Sequence, residues 1–202
     1  MIRAGLIACL VFAACSAPPE EAGAPVRDPL PDDIKRSGTA FLQPDTRALQ
    51  ADDFANPGFL WIDRGEALFR AGVDGSKACA ACHGEDGADL AGAAAHYPQV
   101  DAASGELLNI EGRINQCREQ HQSLPPLEYE SDDLLALTAY VAHLSRGEPV
   151  SVDVTGPAAQ YYEMGREYFF TRRGQLNLAC SQCHNEHWGG KLRGDTISQG
   201  HG

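Results

Sequence analysis

The sequence predicts a mostly α-helical protein made of two copies of one small domain in tandem, the second incomplete. Three observations carry this. The pentapeptide Cys-x-x-Cys-His occurs twice, as Cys79-Ala80-Ala81-Cys82-His83 and as Cys180-Ser181-Gln182-Cys183-His184. A glycine and an amphipathic run precede each copy, Arg64-Gly65-Glu66-Ala67-Leu68-Phe69 and Met164-Gly165-Arg166-Glu167-Tyr168-Phe169-Phe170. These glycines stand 14 and 15 residues before the first cysteine of their pentapeptide. A further helical pattern, ending at Arg146-Gly147, follows the first copy and has no counterpart after the second.

Each pentapeptide is the attachment sequence of a c-type haem. Its two cysteines add to the porphyrin vinyl groups, and the adjacent histidine reaches the iron from the proximal side. The sequence therefore predicts two covalently bound haem c, held by Cys79 and Cys82 and by Cys180 and Cys183, with His83 and His184 as metal ligands. A zinc knuckle would need a second ligand pair close to each first one, and neither copy has it. A short helix leading into a haem loop is how a class I cytochrome c domain opens, so the two copies read as tandem cytochrome c-like (class I) domains.

The elements follow in order. Arg3 and the apolar run from Ala4 to Ala14 read as a signal peptide over 1–14, too short to span a bilayer. Phe12-Ala13-Ala14-Cys15 resembles a bacterial lipoprotein processing site, with Cys15 as the lipidated residue; cleavage after Ala17 is the alternative. Either way the chain is exported to the periplasm, tethered to the membrane if Cys15 carries lipid. Residues 15–50 form a tether and N-terminal arm, the tether rich in Ala, Pro, Glu, Gly and Asp and unable to bury a core. Scattered apolar residues from Phe41 to Trp61 suggest an arm that wraps the first domain or a partner.

The first domain is expected over 51–148. It opens with a helix at 65–70 and closes with one that Ser131 can cap, Asp132 and Asp133 favouring its N-terminus. Leu134, Leu137, Val141 and Leu144 fall on one face of it, with Leu135 and Tyr140 beside them. A domain this small has little apolar surface, so the haem supplies much of its core. The second domain is expected over 149–202 and stops 18 residues after His184, where the first copy runs on for some sixty. The chain is thus expected to be a fragment of a longer protein.

Of the seven cysteines, Cys9 lies in the leader, Cys15 at its end, and four carry haem, which leaves Cys117. A lone thiol in an exported protein calls for a reason. The usual distal methionine is not available. Met1 is in the leader and Met164 precedes the second haem site. For the first iron the candidates are Cys117, His121, His96 and His143. Cys117 comes 34 residues after His83, where a distal loop falls, and Arg113 and Arg118 beside it favour a thiolate. For the second iron the same spacing points beyond residue 202; His187 is too near His184, and His201 is at the very end.

The formal net charge of −12 and the lack of a Lys/Arg run argue against nucleic acid as a partner. An anionic substrate would need a local positive patch, for which Arg166, Arg172, Arg173 and Arg193 are candidates.

From about Pro57 onward the chain resembles the SoxA family, the larger cytochrome subunits of the SoxAX complex of bacterial sulfur oxidation. The resemblance is densest in Gly174-Gln175-Leu176-Asn177-Leu178-Ala179-Cys180-Ser181-Gln182-Cys183-His184, in Trp188-Gly189, Leu192-Arg193-Gly194 and Ser198-Gln199-Gly200-His201. It extends to Asn56-Pro57-Gly58-Phe59-Leu60-Trp61 and Ile114-Asn115-Gln116-Cys117-Arg118. The resemblance implies a heterodimer with a SoxX-like monohaem cytochrome. It also implies a reaction in which thiosulfate is oxidatively conjugated to a cysteine of a SoxYZ-like carrier protein, two electrons leaving through haem. It implies His83 and Cys117 as ligands of the first iron, and His184 with a persulfide-bearing cysteine at the second. That catalytic cysteine, and an arginine that holds the substrate, would lie beyond residue 202. The rival reading is a dihaem c-type electron carrier without sulfur chemistry.

Overall fold

The computed structural model of the protein describes residues 30–73 and 75–200. The expected leader at 1–14, Cys15, most of the tether and His201 lie outside the described residues. Helices dominate what is described. In chain order the elements are α1 (Pro44–Ala51), α2 (Phe59–Arg70), α3 (Ala80–His83), β1 (Gln99–Val100), β2 (Leu107–Leu108), α4 (Ile110–Cys117), α5 (Asp132–His143), α6 (Ala159–Phe170), β3 (Lys191–Leu192) and β4 (Asp195–Thr196). β1 pairs antiparallel with β2 and β3 with β4, each a two-residue ladder. Among the described residues no helix is long and apolar enough to cross a membrane.

The first copy is organised by the crossing of α2 and α5. The crossing is close because residue 65 is glycine: a Cβ there would stand 2.0 Å from the Ala136 carbonyl oxygen and 2.7 Å from Tyr140 Cβ. Phe69, one turn further along α2, is 1 % exposed and packs with Ala80, Leu137 and Tyr140. The Phe69 and Tyr140 ring centroids are 5.2 Å apart. On α5 the buried face is Leu134, Ala136, Leu137, Tyr140 and Val141, as its 3.6-residue period requires.

Several sequence expectations are adjusted here. α2 begins six residues before the predicted start at 65, because Asn56 Oδ1 accepts the Gly58 N–H at 2.9 Å and turns the chain into the helix early. Leu135 points outward. Ser131 has the extended backbone of an N-cap residue, but its hydroxyl makes no hydrogen bond. The start of α5 is tied instead to α2, where Arg64 pairs with Asp133 at 2.7 Å and Asp132 at 3.4 Å. The two aspartates therefore stitch helices together as well as complementing the helix end.

The second copy has the same opening with different surroundings. α6 leads through a tight turn, bridged from Arg173 to Leu178, into a helical turn that carries Cys183 and His184, and then into the β3–β4 hairpin. Gly165 occupies the position of Gly65, yet among the described residues nothing lies within 4 Å of a Cβ placed there. The N-terminal arm does not simply wrap the first copy. Asp53 pairs with Arg146 at 2.7 Å, but residues 34–41 lie on the second copy, with Phe41 edge-on to Trp188 at 6.2 Å.

Candidate functional site

An apolar cavity of about 300 Å³ sits between α2, α3, α4 and α5. Its wall brings together residues far apart in sequence: Cys79, Cys82 and His83, then Cys117 and His121, with Phe69, Leu137 and Val141. Each is delivered by a local rule. The turn from Cys79 to His83 is helical and ends at Gly84, whose φ of 82° lets the chain leave at once. α4 starts at Asn109, whose side chain accepts the Gly112 N–H at 2.9 Å, and it ends on Cys117. A π turn over Arg118–Gln122 then carries His121 and Gln122 along the rim. The His83 ring stands 6.4 Å from the Phe69 ring.

The cavity has the character a porphyrin requires, an apolar slot with a few converging donors. It also has one orphaned polar atom. Gln122 Oε1 is buried without a partner, while its Nε2 donates to the Lys77 carbonyl at 2.8 Å and approaches Cys79 Sγ at 3.6 Å. A wall that offers the Cys79–Cys82 pair with its adjacent His83, and a further thiolate source in Cys117, fits haem c. Sequence reasoning missed Gln122, since a glutamine five residues beyond a cysteine carries no local signal.

Among the distal candidates the structure separates two from two. His96 is exposed and its Nδ1 lies 2.9 Å from the Ser151 carbonyl. His143 is edge-on to Phe59 at 5.3 Å. Cys117 and His121 line the cavity, Cys117 half-buried and His121 exposed. The expectation that flanking arginines favour a Cys117 thiolate needs correction for the metal-free chain. Burial pushes the thiol up, the neighbouring Cys79 and Cys82 add to this, and Arg113 opposes it. Arg118 lines the same cavity but has its Nε engaged, donating to the Pro125 carbonyl at 3.2 Å. A thiol becomes a thiolate in such a place by binding a metal.

Arg113 has another task. It donates to Tyr97 Oη at 3.0 Å and to Asp101 Oδ1 at 3.1 Å, and it also bonds Gln116. Asp101, only 7 % exposed, accepts the Ser104 N–H at 2.9 Å and the Ser104 hydroxyl at 3.0 Å. The two Ser104 bonds, with Gln116 and Arg113 assisting, hold the Asp101 carboxyl at about 2. This network ties the 97–104 loop to α4, the helix that ends on Cys117.

At the second pentapeptide Cys180 is exposed and Cys183 half-buried. His184 Nδ1 lies 2.8 Å from the Ser198 carbonyl oxygen. A carbonyl only accepts, so Nδ1 carries the proton and Nε2 keeps its lone pair for a metal. The groove beside α6 is lined by Tyr161, Tyr162, Phe169 and Phe170, with Asn185 and Gln199. Met164 is 66 % exposed on α6. Of the arginines considered for an anion, Arg166 pairs with Glu163 at 2.7 Å and Arg173 stacks on Tyr168 at 3.5 Å.

The family model described as "SoxA/TsdA, cytochrome c domain" matches residues 64–150, the span that holds the cavity. The L-cysteine S-thiosulfotransferase subunit SoxA of Pseudaminobacter salicylatoxidans is 39 % identical over 173 residues, which is 84 % of this chain and 60 % of that protein. The chain belongs to the SoxA family. The SoxA subunit of Rhodovulum sulfidophilum is 40 % identical over 167 residues, covering 82 % of this chain and 58 % of the relative. The crystal structure of SoxXA from P. pantotrophus superposes with a TM-score of 0.74 at 37 % identity, over 82 % of this chain and 63 % of that one. The SoxA match bears out the mostly α, cytochrome c-like class and haem c as the cofactor. The chain spans about three-fifths of the length of the curated SoxA proteins it matches.

Proposed function

We propose that the protein is a dihaem SoxA subunit that, with a SoxX-like monohaem cytochrome, oxidatively conjugates thiosulfate to a cysteine of a SoxYZ-like carrier in the periplasm. The observation that carries this reading is the convergence of Cys79, Cys82, His83 and Cys117 on one apolar cavity, in a chain 39 % identical to a named L-cysteine S-thiosulfotransferase subunit. In this reading Cys79 and Cys82 hold the first haem covalently and His83 and Cys117 ligate its iron. Cys180 and Cys183 hold the second, with His184 proximal. Haem, when bound, supplies a one-electron path for the two electrons released by S–S bond formation.

The chain's own residues prepare the first site. Phe69, Leu137 and Val141 exclude water from the slot, and the Asp101–Arg113 pair holds α4 so that Cys117 stays in its wall. A thiolate ligand donates strongly and lowers the potential, which suits a relay fed by sulfur more than a high-potential carrier. No residue of this chain is assigned as the persulfide cysteine or the substrate-holding arginine, and Cys15 is the proposed lipid attachment site.

The test is a haem count and a spectrum. Mass spectrometry of the exported chain is expected to show two covalent haems. Electron paramagnetic resonance is expected to show a low-spin thiolate-type signal that vanishes in Cys117→Ala. A signal unchanged in that variant removes Cys117 from the ligand set. For the activity, the complete gene product with its partner cytochrome should add thiosulfate to a carrier cysteine, seen as a mass increase of the carrier; no increase favours the plain electron carrier.

A further inference from the structure

We propose that the N-terminal arm positions the proximal histidine of the second site, acting through Gln199. This rests on the reading of His184 as a haem ligand and adds a positioning residue to it. Gln199 is a polar side chain only 2 % exposed. Both ends of its amide are used by the backbone of the arm. Its Oε1 accepts the Arg36 N–H at 2.6 Å and its Nε2 donates to the Ile34 carbonyl at 3.0 Å. An amide buried this fully is held in one orientation, because turning it would leave donor facing donor and acceptor facing acceptor.

The residues on either side of Gln199 meet the histidine. Ser198 presents its carbonyl to His184 Nδ1 at 2.8 Å. Gly200, at φ 76°, lies against the ring; a Cβ there would be 3.5 Å from Nδ1 and 3.6 Å from Cγ. Residues 198–200 thus form a saddle under the imidazole, with Gln199 pinning its centre to the arm. The hairpin secures the approach to the saddle, through Ile197 N–H to the Gly190 carbonyl at 2.9 Å and Gly189 N–H to the Ile197 carbonyl at 2.8 Å. The arm is in turn fastened by its side chains. Phe41 meets Trp188 edge-on, and the Arg36 guanidinium lies over the same indole at 5.8 Å. Trp188 itself is four residues past His184, so the arm grips the histidine turn and its saddle together.

The consequence is electronic. A firm Nδ1–H···O=C bond raises the basicity of the ligating nitrogen and fixes the ring plane. That favours the oxidised iron and lowers the potential of that haem. Loosening Gln199 frees Ser198 to drift, weakens the bond, and raises the potential of the second haem while leaving the first alone.

The experiment uses the haem-loaded full chain and the variants Gln199→Leu and Gln199→Glu. Leu keeps the volume and removes both bonds to the arm. Glu keeps the acceptor for the Arg36 N–H and, when ionised, loses the donor to the Ile34 carbonyl. Redox titration followed at the Soret band should resolve two potentials. In Gln199→Leu one of them is expected to rise by about a tenfold change in the oxidised-to-reduced preference, 59 mV for a one-electron couple. Gln199→Glu should shift the same potential less, and the other should not move. If Gln199→Leu does not fold, the Glu variant decides alone. Two haems with both potentials unchanged, or with both moved equally, overturn the proposal. A wild-type chain carrying one haem overturns the second-site reading itself, and this proposal with it.

Discussion

Gly65→Ala tests the close crossing of α2 and α5. The added Cβ would stand 2.0 Å from the carbonyl oxygen of Ala136, 2.7 Å from its carbonyl carbon and 2.7 Å from Tyr140 Cβ. Comfortable contact of such atoms needs well over 3 Å, so α2 and α5 must part by more than about 1 Å. The obstacle is backbone, which has no rotamer to escape into. Overpacking of this kind costs about 1–3 kcal/mol, and a backbone clash belongs at the upper end. Alanine returns about 1 kcal/mol through its better helix propensity. The net expected loss is about 2 kcal/mol, which lowers the Tm of a domain of roughly 100 residues by about 8–16 °C.

The repeat supplies the control for that substitution. Gly165 has the same place in its motif, is exposed, and has nothing within 4 Å of its Cβ position, so Gly165→Ala should be neutral or stabilising by up to about 1 kcal/mol. Thermal unfolding of the haem-loaded chain, followed by circular dichroism and by the Soret band, reads both variants. A Gly65→Ala protein that melts with the wild type, or a Gly165→Ala protein that falls as far, would refute the close-crossing argument.

Phe69→Ala, which empties a side chain 1 % exposed between Tyr140 and His83, is expected to cost about 3–5 kcal/mol in urea unfolding. Asp101 has a folded pKa of about 2, below its unfolded value, so its contribution to stability is complete above about pH 4 and is lost as pH falls through about 2. An Asp101→Asn protein should lack that component of acid unfolding between pH 4 and 2, measured by far-ultraviolet circular dichroism. His121→Ala should leave the thiolate-type resonance signal intact, since His121 is the exposed member of the pair on the cavity wall; a wild-type chain with a His/His-type signal instead, altered in this variant, would make His121 the ligand.

Much of the first site was legible because its parts obey short-range rules. The pentapeptide Cys79 to His83 is a covalent attachment code within five residues. The face of α5 follows from helical period, and Cys117 stands out by elimination among the cysteines. What local rules could not reach was set by tertiary contact. Ser131 is placed to cap α5, yet the helix start is held by Arg64 from another element. Arg113 and Arg118 look like activators of Cys117 by adjacency, but one is spent on Asp101 and Tyr97 and the other on Pro125 O. Gln122 carries no sequence signal, and Gln199 stands out only within a stretch of family resemblance that says nothing of its role, because their meaning comes from partners 43 and more than 160 residues away.

The sequence by itself determined the haem c attachment motifs, the helices that open and close the first copy, and the family, since covalent attachment and helical period are encoded over a handful of residues. Only the tertiary structure decided that Gly65 and Gly165 are not equivalent, one wedged against Ala136 and the other open, and that residues 34–41 of the arm lie on the second copy. The physical reason is the same in both cases. A side chain's energy depends on which atoms fill the few ångströms around it, and those atoms come from parts of the chain that no local pattern specifies.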